Sequence, residues 1–128
     1  MRNILLVMLL TTANNSAIAE WIKVVSNETD TVYADPASII RTFYKVKMRS
    51  LHDFKTPAKL PGNTFLSADI QQEYDCQENL SRTLVFTCHS RNMGKGKKIF
   101  TDIEPYEWEP VKQGSLREAL LKFACKQR

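Results

Sequence analysis

Two histidines, three cysteines, a row of carboxylates and a glycine–lysine stretch hold most of the reactive chemistry of this chain. Cys88 and His89 adjoin, so on an extended strand their side chains leave opposite faces and cannot share one metal ion. No C-x-x-C or H-x-x-x-H spacing occurs, and neither a metal nor any other cofactor is expected. A small periplasmic hydrolase or redox enzyme would have to use His52 or Cys88, and no nucleophile, base and acid converge on either one, so no catalytic residue is assigned. Asp69, Glu73 and Asp75 recur along the outward face of one run, where solvation explains them better than paired-carboxylate catalysis.

Arg91, Lys95, Lys97 and Lys98 crowd a segment that also holds Gly94 and Gly96, which makes a mobile, exposed candidate for anion binding. The segment lacks the strand-to-helix context of a phosphate loop. Lys45, Lys47 and Arg49 offer a second cationic row on the solvent face of a strand. A partner for these groups would be an anionic polymer or an extracellular protein with acidic segments. Nucleic acid is not expected, because no aromatics interleave with the lysines to stack on bases. The plainer account of the same charges is a solvated loop that aids solubility.

The elements that must position these residues are short. Of the 128 residues, 43% are hydrophobic and 25% charged, which excludes a disordered or low-complexity chain and leaves room for one modest core. Apolar Trp21 to Val25 and Thr31 to Ala34 form two β-like runs. In a third, Phe43 to Phe54, the side chains of Tyr44, Val46, Met48, His52 and Phe54 share one face. Asp35-Pro36-Ala37-Ser38 reads as one helical turn between the second and third runs, with Asp35 as cap and proline at the first position. Lys55 to Asn63, with Pro57, Pro61 and Gly62, reads as a long exposed loop.

Ala68 to Cys76 and Thr83 to His89 alternate as a hairpin around a turn at Gln77 to Ser81. Bringing their apolar sets to one face places Ile70 opposite Cys88 and Tyr74 opposite Leu84. A short run, Ile99 to Ile103, follows, then an irregular stretch in which Pro105 and Pro110 bracket Trp108. Ser115 and Glu118 form a capping box for a last helix whose apolar face carries Leu116, Ala119, Leu120 and Phe123. The expected fold is α+β, an antiparallel sheet of five to six strands packed against one C-terminal helix.

Arg2 ahead of the apolar run Ile4 to Leu10, then polar residues and the small pair Ala17 and Ala19, has the order of a secretory signal peptide. The run is shorter than the ~20 residues that span a bilayer. Residues 1–19 are thus expected to be a leader, cleaved between Ala19 and Glu20, and 20–128 one exported domain without a transmembrane segment, most simply in the periplasm. In an oxidising compartment the cysteines are disulfide candidates. In the hairpin register above, Cys76 and Cys88 lie about 20 Å apart, beyond the ~7 Å that a disulfide spans. Cys125 is left to bond one of them; closing the loop of roughly 50 residues to Cys76 would contribute about 4 kcal/mol. Cys88, among Leu84, Phe86 and Ile70, suits a small buried apolar side chain.

Val32-Tyr33-Ala34-Asp35-Pro36-Ala37-Ser38-Ile39, then Gln72-Glu73-Tyr74-Asp75-Cys76, and Pro110-Val111-Lys112-Gln113-Gly114-Ser115 before a helix ending Phe123-Ala124-Cys125 together resemble the surface-adhesin E family of Gram-negative bacteria. The resemblance covers Glu20 to Cys125. It implies an antiparallel sheet with a C-terminal helix tied to it by a Cys76–Cys125 disulfide. It also implies a small non-enzymatic binding or envelope protein, with host extracellular-matrix proteins or envelope polymers as partners.

Overall fold

Period-two alternation of apolar side chains builds a twisted sheet here, and a single helix covers part of one face. The computed structural model describes residues 20–126, so the expected leader, 1–19, with its junction at Ala19, lies outside the described residues. Strands β1 (Ile22–Ser26), β2 (Asp30–Thr42), β3 (Lys45–Leu60), β4 (Asn63–Asp75) and β5 (Leu80–His89) form an antiparallel meander. On the free edge of β5 pair β6 (Lys98–Asp102) and, nearer the start of β5, the two-residue β7 (Glu109–Pro110). Helix α1 (Leu116–Lys126) ends the described chain. This is the expected α+β class, with β7 as one more, very short, strand.

Val32, Ala34, Val46, Met48 and Tyr74 point from three neighbouring strands toward Leu120, Leu121 and Ala124 of α1, and all eight are buried. Leu116 and Phe123, read from the sequence as core, are only partly buried at the margin, whereas Leu121 and Ala124 enter the centre. The helix start is capped as expected in one direction: the Glu118 N–H donates to Ser115 Oγ (3.1 Å). The return half falls one residue earlier, since Glu118 Oε1 accepts from the N–H of Gly114 (3.1 Å).

Three local expectations are corrected. Asp35 to Ser38 is no helical turn but a bulge inside β2, where pairing to β3 breaks between Asp35 and Ile40. Short polar side chains close it: Ser38 Oγ donates to the Asp35 carbonyl (2.6 Å) and accepts the Arg49 N–H (2.8 Å), replacing a ladder bond. Lys55 to Asn63 is no long loop either. β3 runs on to Leu60 and returns through a two-residue turn, Pro61-Gly62, with Leu60 opposite Asn63 and Ala58 opposite Phe65. Pro57 falls in the register break between Asp53 and Ala58, where no ladder donor is required, and Phe54 meets Phe65 edge-on at 5.4 Å.

The hairpin register also differs. Ile70 faces Phe86, Tyr74 faces Ser81 and Ala68 faces Cys88. The turn is Cys76 to Asn79 rather than Gln77 to Ser81, with Asp75 opposite Leu80. Asp75 Oδ1 accepts from the N–H groups of Gln77 and Glu78, and Leu84 is the extra residue of a bulge facing Gln71 and Gln72.

Candidate functional site

The 3₁₀ turn Asn92–Gly94 folds back over the sheet face opposite α1, and its fastenings are specific. Ser67 Oγ donates to the Arg91 carbonyl (2.6 Å) and accepts the Gly94 N–H (2.9 Å). Asp53 Oδ1 accepts from Asn92 Nδ2 (3.0 Å) and from the Met93 N–H (2.9 Å). At its neck Ser90 and Lys97 exchange two bonds, Ser90 N–H to Lys97 O (2.9 Å) and Lys97 N–H to Ser90 Oγ (2.8 Å). Beneath it Leu51 is fully buried. The segment expected to be mobile is thus a closed turn pinned at both ends. Its cations, Arg91, Lys95, Lys97 and Lys98, stand exposed on it.

Because β3 and β4 extend as a hairpin, their tip comes alongside this turn. An open cleft of about 530 Å³ lies between them, lined by Lys59, Asn63 and Thr64 on one side and Ser90, Lys97 and Ile99 on the other. Two ammonium groups with hydroxyl and amide donors suit a multiply charged anion. Lys59, Asn63 and Thr64 escaped the sequence reading, which placed them in or beside a structureless loop. The signal that could have found them is Pro61-Gly62 between two alternating runs.

In the second cationic row Arg49 and Lys45 are engaged. Arg49 donates from Nε to Asp69 Oδ1 (2.9 Å), holds Asp69 Oδ2 through Nη2, lies 3.9 Å from Asp35, and stacks 4.9 Å over Trp21. The hydrogen bond to Asp69 raises the Arg49 pKa further, against the opposing cost of burial. Arg82 pairs with Glu73 (2.7 Å) and shares the Trp108 ring with Lys45, at 4.8 and 5.4 Å. Asp69, Glu73 and Asp75 are therefore structural partners for guanidinium and turn amides rather than a solvated row; Glu73 and Asp75 are buried.

The groups weighed for catalysis are separated. His52 and Cys88 share a face, each opposite Ala68, which puts about 10 Å between their strands. Burial pushes the Cys88 thiol pKa up, away from the thiolate that a nucleophile needs. Burial lowers the pKa of His52 and of His89, and neither His52 Nε2 nor His89 Nδ1 has a hydrogen-bond partner. Among the described residues no three His, Cys, Asp or Glu side chains are placed to hold a metal ion.

At the far end of the sheet the turn after β4 meets the last turn of α1, and a disulfide joins Cys76 to Cys125 with Cα atoms 5.8 Å apart. Cys88 is free and buried. A meander whose C-terminal helix is fastened to a hairpin turn, with exposed cations around a cleft at the other end, defines a small disulfide-stapled α+β domain. The chain belongs to the surface-adhesin protein E family, whose model matches residues 21–126. Membership implies an exported adhesin-type protein. The fold is similar to that of Haemophilus influenzae protein E in its selenomethionine form, with a TM-score of 0.62 at 12% identity over 82% of this chain and 84% of that one. A second structure, protein E from non-typeable Haemophilus influenzae, gives 0.55 at 11% identity over 87% and 78% of the two chains. No curated protein sequence matches. Among the described residues no helix is long and apolar enough to cross a membrane.

Proposed function

We propose that this is an exported, non-enzymatic binding protein whose basic end engages anionic polymers, either envelope polysaccharide or acidic segments of extracellular proteins. The observation that carries the reading is the cleft in which Lys59 and Lys97, from segments far apart in sequence, stand with Asn63, Thr64 and Ser90 beside the exposed Arg91, Lys95 and Lys98. Membership of a surface-adhesin family supports a binding role outside the cytoplasm. The leader reading of residues 1–19 supports export, with the periplasm as the first destination. Because the turn is pinned through Ser67 and Asp53, its backbone needs little ordering on binding, which favours affinity.

Heparin chromatography tests the proposal. Wild type should be retained and elute with moderate salt, since exposed charges are screened over ~8 Å at physiological ionic strength. Changing Lys95, Lys97 and Lys98 to Gln, or Lys59 and Lys97 to Gln, should each lower the elution salt. Identical elution of all three proteins would remove the basic end as a binding site.

A further inference from the structure

The opposite end of β3 carries a different surface. Thr42 pairs with Lys45, so β2 and β3 are joined by the two-residue turn Phe43-Tyr44. Its first residue, Phe43, has φ +56, a left-handed position that glycine or asparagine fills without strain and a bulky side chain does not. The strain is not offset by packing, because Phe43 is 89% exposed. Tyr44 and Ile40 beside it are 47% and 59% exposed. Nothing in the fold calls for a phenylalanine here, and residues held in such conformations tend to mark functional sites.

The mount beneath these side chains is rigid. Tyr44 O accepts the Cys76 N–H (2.8 Å), Arg41 Nη2 donates to the Cys125 carbonyl (2.8 Å), and Cys76 is bonded to Cys125. Turn, helix end and neighbouring hairpin are thus tied to one another. Lys45 and Lys47, both half-buried, follow the turn directly and the exposed Lys126 follows Cys125; among the exposed carboxylates at this end, Glu78 lies on the adjacent turn and Glu109 pairs with Arg117. Asp75 is committed to turn amides and Glu73 to Arg82.

We propose that the Phe43-Tyr44 tip docks on an anionic lipid surface. A convex apolar tip has no walls with which to enclose a peptide, but aromatic side chains beside Lys47 and Lys126 match the interfacial layer of a bilayer, where rings lie at headgroup depth and ammonium groups meet phosphate. The orientation has a consequence for the rest of the molecule. β3 spans sixteen residues, so the basic cleft is held roughly 50 Å from the tip, facing away from the membrane. The docking stands on the tip alone and does not depend on what the cleft binds.

Co-sedimentation of the full exported protein with vesicles tests this. Wild type should partition at low salt onto vesicles containing phosphatidylglycerol and at least tenfold less onto pure phosphatidylcholine. Phe43→Gly should lose at least tenfold in partition while its melting temperature stays level or rises, since glycine relieves the backbone. Changing Lys95, Lys97 and Lys98 to Gln should leave partition within twofold. No sedimentation of wild type, undiminished binding by Phe43→Gly, or loss confined to the lysine variant would each overturn the proposal. Concentration-dependent self-association that Phe43→Gly abolishes, without vesicle binding, would overturn it in favour of a second copy of the chain.

Discussion

Gly96 runs so close to Ser90 that a Cβ added to it would stand 2.2 Å from the Ser90 hydroxyl oxygen and 3.0 Å from Arg91 Cγ. That hydroxyl already accepts the Lys97 N–H at the neck of the basic turn, and Gly96 itself has φ +81. Gly96→Ala therefore combines left-handed strain with a collision and should cost about 2–3 kcal/mol. Gly62→Ala, at φ +79 with nothing within 4 Å, should cost only about 1–2 kcal/mol from the backbone. Urea denaturation of the two variants compares them, and equal losses would show that the Ser90 approach contributes nothing.

Replacing both Cys76 and Cys125 with Ser should lower stability by about 2–5 kcal/mol, because the bond closes a 49-residue separation between hairpin turn and helix end. Peptide mapping under non-reducing conditions should recover that pair. A peptide joining Cys88 to Cys125 would contradict the packing of α1.

Cys88 should resist alkylation in the folded protein, since it is fully buried and its thiol is harder to ionise than usual. Iodoacetamide labelling should accelerate by orders of magnitude in denaturant. Rapid labelling of native protein below neutral pH would indicate an activated thiolate and revive an enzymatic role.

Stability should fall as the solution is acidified from neutrality. Burial holds the pKa of His52 and His89 below the ordinary value near 6.5, outweighing the opposing pull of Asp30 on His52 and of Asp69 on His89. The unfolded chain then binds more protons than the folded one between the depressed and ordinary values, and the linkage slope makes stability rise with pH across that window. Below the folded-state values the histidine contribution levels off. Denaturant midpoints between pH 7 and 5 should show the decline, and His52→Phe should flatten it; an unchanged slope would locate the effect in His89 or the carboxylates.

Much of the architecture was legible one segment at a time. Alternation marked Val46, Met48 and His52 on one face of a strand, and Ser115 with Glu118 marked the start of α1, because pleat and helix periods are local properties of the chain. The impossibility of a Cys76–Cys88 bond also followed from the hairpin alone and survives the register change, which moves Cys88 opposite Ala68. The candidate site was half legible. Arg91, Lys95, Lys97 and Lys98 were found as a cluster, but Lys59, Asn63 and Thr64 were not.

Residue order by itself determined most of the extended segments, though not Asp35 to Ser38 or Lys55 to Leu60, as well as where the helix is capped and which chemistry is scarce. Only the tertiary structure decided the registers. Bulges at Asp35–Ile40, Asp53–Ala58 and Gln71–Gln72 each shift pairing by an amount that local propensity does not encode, since what selects them is burial of the matching apolar sets across strands. The same nonlocality turned Asp69 from a solvated acid into the partner of Arg49, and brought Lys59 beside Lys97. Residues twenty to forty apart meet through cross-strand pairing, and that pairing is a property of the whole sheet.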